Sequence, residues 1–385
     1  MSRKVALGLI GCGSRLRGLA KPLLQKLPDA RVVALSDPNP ESIRAARERL
    51  GPDARVYEDY RELCQSAEVD WVMVGSWNAF HAEHVVAALA AGKHVFCEKP
   101  LATRIDDCVA MREAVERSGR IFSFGLTLRY ASLYRRIRQL LEQGAIGTLI
   151  SLEFNENLGF NHGGFIHMDW RRHTRYAGSH VLEKCCHDID LCNWFAGSLV
   201  SRAASFGGLS FFRPENAHHM ARIGPDESGG QAYCTWLRNP TPPYAPHPFT
   251  DDKDVVDNQV ALLEYRNGVR AMFHTNCNVA LPERRMLLCG SEGTIRADLI
   301  SGTIEHRRIG WDEPSTVYHD AGGGHGDGDR YLVDSLAASM FDGKPPSAGI
   351  REALASAVTC FGIDQALESG QVVSLTPLWR EVSLE

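Results

Sequence analysis

Along the first third of the chain, short apolar runs alternate with longer segments whose apolar positions recur every three or four residues. Val5–Ile10, Arg31–Ser36, Trp71–Val74, His94–Cys97 and Ile121–Phe124 read as strands. The segments near Arg17–Leu27, Pro40–Leu50, Ala79–Ala91 and Ile105–Arg117 read as helices. Continuously apolar strands separated by helices predict a parallel sheet covered on both faces. After Gly125 the rhythm changes: a helix near Ser132–Gln143 precedes alternating strand patterns at Thr148–Glu156, Val256–Tyr265, Arg270–Cys277, Arg284–Cys289 and Thr294–Asp298. Asn267-Gly268 and the stretch Gly290–Gly293 fall between these strands as turn signals, and closely spaced strands joined by tight turns predict a large, mostly antiparallel open sheet. Helices near Tyr331–Phe341 and Ile350–Ser369 end the pattern.

A chain of 385 residues exceeds one ordinary core, and the change of rhythm puts the division at 1–125 and 126–385, an α/β domain followed by an α+β domain. The region Pro214–Phe249, rich in Pro, Gly, His and Asn, reads as a long surface loop or insertion of the functional kind.

Composition narrows the partners. Apolar residues make up 44% and charged residues 23%, with a net charge of -5; the balance is that of a globular protein and argues against a nucleic-acid surface. No apolar run reaches membrane-spanning length. The 11 cysteines are odd in number and lie mostly in apolar segments, as reduced thiols of a cytoplasmic protein do. Cys185, Cys186, His187 and Cys192 have metal-binding side chains, but the spacing lacks paired knuckles and adjacent helical residues diverge by about 100°. No metal is expected.

Gly11-Cys12-Gly13 follows the first strand and opens the first helix. Such glycines permit a tight turn and let a pyrophosphate approach the helix N-terminus. The third glycine of the full fingerprint is absent: Leu16 stands there and Gly18 comes later. Asp37 ends the second strand, where a carboxylate binds the adenosine ribose hydroxyls and disfavours a 2′-phosphate. These features predict a Rossmann dinucleotide-binding domain and NAD rather than NADP.

Glu98-Lys99-Pro100 after the fourth of these strands, Asn78-Ala79-Phe80-His81 after the third, Trp170-Arg171, His187-Asp188-Ile189-Asp190, Gly290-Ser291-Glu292-Gly293-Thr294 and the Gly324–Asp329 segment together resemble the Gfo/Idh/MocA oxidoreductases. The resemblance runs over nearly the whole chain. It implies hydride transfer between NAD(P) and a hydroxyl or carbonyl carbon of a sugar, polyol or sugar derivative, in a homodimer or homotetramer assembled through the C-terminal sheet. It assigns catalysis to Lys99, His187 and Glu183, and the cofactor to Gly11, Gly13, Ser14, Arg15, Asp37, Ser76, Trp77, Asn78, His81, Glu98 and Lys99. Substrate contact falls to Lys99, Trp170, Arg171, His187 and His325, and the bond before Pro100 is expected to be cis. Two positions depart from the family pattern: Glu183 replaces the usual aspartate, and Trp77 the usual proline.

The residue types suit the chemistry. Oxidising a secondary alcohol needs a base, for which histidine is suited, and a charge that steadies the alkoxide, which a lysine ammonium supplies. Helical spacing puts Glu183, His187 and Asp190 on one face, so Glu183 is expected to pair with His187 and raise its basicity; Asp190 is expected to be structural. His162, His167, Arg172 and His173 form a polar cluster around Trp170-Arg171, and Asp329 is a second candidate for substrate hydroxyls, with a helix-capping role for Asp327 or Asp329 as the alternative. The same residues would serve an enzyme that keeps and recycles its NAD through elimination or epimerisation. A non-catalytic dinucleotide sensor would not need Lys99 and His187 together.

Overall fold

In the computed structural model, which describes residues 4–235 and 247–384, the wholly buried Val5–Ile10 forms the first strand, β1. Two compact units are built on this chain. In the first, β1 is followed by α1 (Ser14–Lys26), β2 (Ala30–Ser36), α2 (Pro40–Leu50), β3 (Arg55–Val56), α3 (Tyr60–Gln65), β4 (Trp71–Val74), α4 (His81–Ala90), β5 (His94–Cys97), α5 (Ile105–Ser118) and β6 (Phe122–Phe124). Every strand pairing is parallel, in the order β3-β2-β1-β4-β5-β6. The order reverses between β1 and β4, and ligands of such sheets bind beyond the carboxyl ends of the strands at that point. The strand β3 escapes the sequence pattern because it has two residues, both exposed.

The second unit contains α6 (Ser132–Glu142), β7 (Leu149–Gly159), α7 (Phe160–Met168), α8 (Thr174–Ala177), α9 (His180–Glu183), α10 (Cys186–Ala196), β8 (Val200–Gly208), α11 (His218–Ile223), β9 (Asn258–Tyr265), β10 (Arg270–Val279), β11 (Arg285–Gly290), β12 (Gly293–Asp298), β13 (Thr303–Arg308) and β14 (Thr316–His319). With β15 (Val373–Ser374) these form a nine-stranded sheet, β14-β13-β12-β11-β7-β10-β9-β8-β15. Only β7 and β10 pair in parallel; the other pairings are antiparallel. Along β9, Gln259, Ala261, Leu263 and Tyr265 are buried while Val260 and Leu262 are exposed, so the outer face of the sheet is itself apolar there.

The units do not divide the chain at one point. Asp327–Ala357 and the stretch from Leu378 onward belong with the first unit, whereas the sequence pattern divides the chain once, near 125. The helix after the second unit's last glycines, α12 (Gly328–Asp342), is held in the first unit by Lys26 to Asp334 at 2.5 Å and Arg15 to Asp329 at 2.8 Å. The helices α13 (Ile350–Ser369) and α14 (Thr376–Glu381) follow.

The Pro214–Phe249 region is more than a surface loop in its described parts. Tyr233 and Phe249 are buried with Phe212, Ala232, Leu158, Ile166 and Cys277 in a small second core. Positions 236–246, which include the Pro-rich Pro240–Tyr244, lie outside the described residues.

Candidate active site

In the first unit, Gly11 has φ +82° and a Cβ there would stand 2.3 Å from the Ser76 backbone nitrogen. The turn after β1 therefore lies directly on the chain leaving β4, an approach only glycine allows. Gly13 is the N-cap of the 13-residue α1 and makes no side-chain cap. Nothing lies within 4 Å of where its Cβ would be, and the exposed Ser14 begins the helix. No side chain of the N-cap residue caps the first N–H groups of α1, a setting for pyrophosphate. Asp37 Oδ2 accepts the Cys12 N–H at 2.6 Å and Oδ1 the Asn39 N–H at 2.7 Å. A carboxylate offers about four acceptor positions, so Asp37 fixes the glycine turn and retains capacity for ribose hydroxyls. These residues fit an NAD.

Other expected cofactor residues have structural partners instead. Arg15 donates Nε to Glu98 Oε1, Nη1 to Asp329 Oδ1 and Nη2 to Thr127 Oγ1, each at 2.8 Å. The buried Glu98 in turn accepts the Lys99 N–H at 3.3 Å through Oε2. Arg15 and Glu98 therefore hold the backbone of Lys99, and Asp329 anchors α12 through the same guanidinium. Asp327 is the N-cap of α12 but makes no side-chain cap. The Lys99–Pro100 bond is cis, as expected. His81 is buried, with Nδ1 2.7 Å from the Pro100 carbonyl and Nε2 3.2 Å from the Ser76 carbonyl; burial lowers its pKa. It braces the turns after β4 and β5. The Ser76 hydroxyl pairs with His84 Nδ1 at 2.9 Å, Asn78 is buried, and Trp77 is exposed with its ring stacked near Phe80.

In the second unit the expected continuous helix through Glu183 and His187 is broken. Helix α9 ends at Glu183, Lys184 and Cys185 form a turn, and α10 begins at Cys186. Two ion pairs flank the break: the half-buried Lys184 places Nζ 3.0 Å from Glu156 Oε1, and the buried Asp188 grips Arg284. The i to i+4 argument for Glu183 and His187 therefore does not apply. Glu183 accepts Arg171 Nε at 3.0 Å, and Arg171 also donates to Asp169 Oδ2 at 2.6 Å while lying 4.3 Å over the Trp170 ring. Trp170, Arg171 and Glu183 thus form one assembly. His187 is buried, and its ring meets His325 edge to face at 5.7 Å between centroids. Asp190 is buried in α10.

The remaining histidines separate by environment. Burial pushes His180 and His167 down to about 4. Desolvation, with Lys184 next, pushes His162 down to about 2. His180 pairs with Thr275 Oγ1 at 3.0 Å, and His167 stacks on Phe212; these are neutral core groups rather than members of a substrate-facing cluster. Arg172 and His173 face Asp252. Cys185 and Cys192 are buried thiols with pKa values pushed far up by desolvation, and among the described residues no group of three or more His, Cys, Asp or Glu could hold a metal.

Sequence reasoning missed Glu156, Asp188 and Arg284, which are buried charges beside His187 and His325. One signal was available. Glu156 shares the strand parity of the buried Leu152 and Phe154, and an acid on an inward position demands a partner.

Two family models cover most of the chain: the oxidoreductase family with NAD-binding Rossmann fold matches residues 5–126, and the GFO/IDH/MocA C-terminal domain matches residues 134–296. The chain belongs to the Gfo/Idh/MocA oxidoreductase family, and its N-terminal domain is that family's NAD-binding Rossmann fold. It is 33% identical over 207 residues to inositol 2-dehydrogenase of Gluconacetobacter diazotrophicus, a match covering 52% of this chain and 58% of the relative. The chain thus spans little more than half the length of the curated relatives it matches. Levoglucosan dehydrogenase, solved with NADH and levoglucosan, shares the fold at a TM-score of 0.79 and 18% identity over 97% of this chain and 100% of that one. The apo scyllo-inositol dehydrogenase of Lactobacillus casei does so at 0.74 and 19%, over 97% and 99%. Among the described residues no helix is long and apolar enough to cross a membrane.

Proposed function

We propose that the chain is an NAD-dependent dehydrogenase that transfers a hydride between nicotinamide and a hydroxyl or carbonyl carbon of a sugar, polyol or sugar derivative. The observation that carries this reading is the uncapped N-terminus of α1 behind Gly11 and Gly13, with Asp37 at the end of β2. It is supported by kinship with inositol 2-dehydrogenases. NAD, when bound, supplies the hydride acceptor. His187 takes the hydroxyl proton as general base, and the Lys99 ammonium steadies the developing alkoxide. The negative charge of Glu183 favours the imidazolium that forms on His187, and Trp170, Arg171 and His325 present polar and aromatic surface to the substrate.

The reading extends to a homodimer or homotetramer formed through the large sheet, supported by exposed Phe206 (69%), Val260 (43%), Leu262 (58%) and Met272 (41%) on β8, β9 and β10. It also extends to a cytoplasmic setting, supported by eleven free cysteines, most of them buried.

The test is to incubate the purified chain with NAD and a panel of polyols and sugars while following the absorbance of the reduced cofactor. At least one compound is expected to give net reduction. Lys99→Ala should lose roughly a hundredfold or more of that turnover while still binding NAD. No reduction with any compound, by protein that binds NAD, would contradict the reading.

A further inference from the structure

Arg284, immediately before β11, is 3% exposed and holds three separate parts of the second unit. Its Nε and Nη2 donate to Asp188 Oδ1 and Oδ2, both at 2.7 Å. It also pairs with Glu156 of β7, and its Nη1 donates to the Gly324 carbonyl at 3.2 Å. Lys184, half-buried, closes the group on Glu156, so the buried Arg284, Glu156 and Asp188 are joined by a second cation. Tyr134 is buried close by and Asp298 accepts the Arg284 backbone N–H at 3.2 Å.

The grips of this guanidinium fall next to the two imidazoles. Asp188 follows His187, Gly324 precedes His325, and the two rings meet at 5.7 Å and 71°. Cohesion alone does not require such a network, because packed apolar side chains hold a core as well as a buried ion group does. What the planar, forked guanidinium adds is fixed geometry between segments that lie far apart in sequence.

We propose that Arg284 is a positioning residue that sets the spacing and orientation of the His187 and His325 imidazoles, by gripping Asp188 and the Gly324 carbonyl at once. The proposal rests on the reading of His187 as the acid/base group. Lysine carries the same charge but cannot make the bidentate pair with Asp188 while also holding Gly324. Displacing a reacting group by about an ångström costs about a hundredfold.

The experiment compares wild type, Arg284→Lys and Asp188→Asn as full-length protein labelled with 15N-histidine, with the His187 and His325 signals assigned from His187→Asn and His325→Asn. Melting temperature, NAD affinity, kcat, KM and the imidazole signals are measured together. Arg284→Lys should melt close to wild type and bind NAD normally. It should lose about a hundredfold in kcat, with a smaller change in KM, and shift both imidazole signals while that of His306 stays in place. Asp188→Asn should repeat the pattern, and it decides the question if Arg284→Lys does not fold. Unchanged kcat and imidazole signals would overturn the proposal. So would a loss of NAD binding and melting temperature in proportion to kcat, which is the mark of a general core residue. If His187→Asn keeps its turnover, the acid/base reading fails, and the imidazole signals still decide whether Arg284 positions the rings.

Discussion

Arg171 donates its Nε to Glu183 Oε1 at 3.0 Å, although Glu183 stands only four positions before His187. The arginine therefore offsets part of the negative charge of Glu183, which is expected to act on His187. In alcohol oxidation the base must be unprotonated, so the acidic limb of kcat/KM follows its deprotonation. Glu183→Gln removes a charge that favours imidazolium, and the limb should move to lower pH. Arg171→Gln leaves Glu183 uncompensated, and the limb should move to higher pH. The pH dependence of kcat/KM for both variants checks this pair, and limbs that stay with wild type would show that neither residue acts on His187.

Asp37 accepts the Cys12 N–H of the glycine turn and lies where a ribose is bound in Rossmann domains. Wild type should bind NAD more tightly than NADP. Asp37→Ser should weaken NAD and narrow the difference, because the charge opposing a 2′-phosphate is gone. Binding titrations with both cofactors measure this, and a wild type that already prefers NADP would refute the ribose assignment.

The parallel-sheet domain was legible because β1, β4 and β5 are apolar along nearly their whole length and its helices are punctuated by glycine and proline. The strand β8 escaped notice: its sequence, Val-Ser-Arg-Ala-Ala-Ser-Phe-Gly-Gly, has few residues that favour strands. Strand β13, Thr-Ile-Glu-His-Arg-Arg, hides its inward Ile304 among charges. Among the candidate residues, Gly11, Gly13 and Asp37 could be picked out by local pattern, and Lys99 and His187 by the family resemblance. Arg284 could not, because its partners Asp188 and Glu156 lie 96 and 128 positions away and only the folded sheet brings them together. The break at Lys184–Cys185 was hidden for the same reason, since long-range ion pairs flank it.

The Asp364 carboxyl on α13 is half-buried and accepts a hydrogen bond from Ser179 Oγ at 2.5 Å. Burial first, and Glu368 next among the raising causes, push its pKa up to about 7. The folded chain therefore holds a proton there that the unfolded chain, with an ordinary carboxyl near about 4, releases. Stability from this site is present below about pH 4 and is lost as pH rises towards 7. Asp364→Asn, neutral at every pH, should melt several degrees above wild type at pH 8 and level with it near pH 4. Melting curves across that range test the sign, and a variant less stable than wild type at pH 8 would reverse it.

Leu262 projects from the outer face of β9 beside Val260. If that face joins copies of the chain, Leu262→Glu should lower the mass measured by light scattering while leaving the melting transition of the Rossmann domain in place. An unchanged mass would move the interface elsewhere.

In the proposed reaction a carbon-bound hydrogen of the substrate passes directly to the cofactor as hydride. This transfer is tested most directly with a carbon-deuterated form of a polyol active in the panel, by mass spectrometry of the recovered nicotinamide. One deuterium in the reduced cofactor is expected, with slower turnover than with the protiated compound. Reduced cofactor that carries no deuterium would contradict direct transfer.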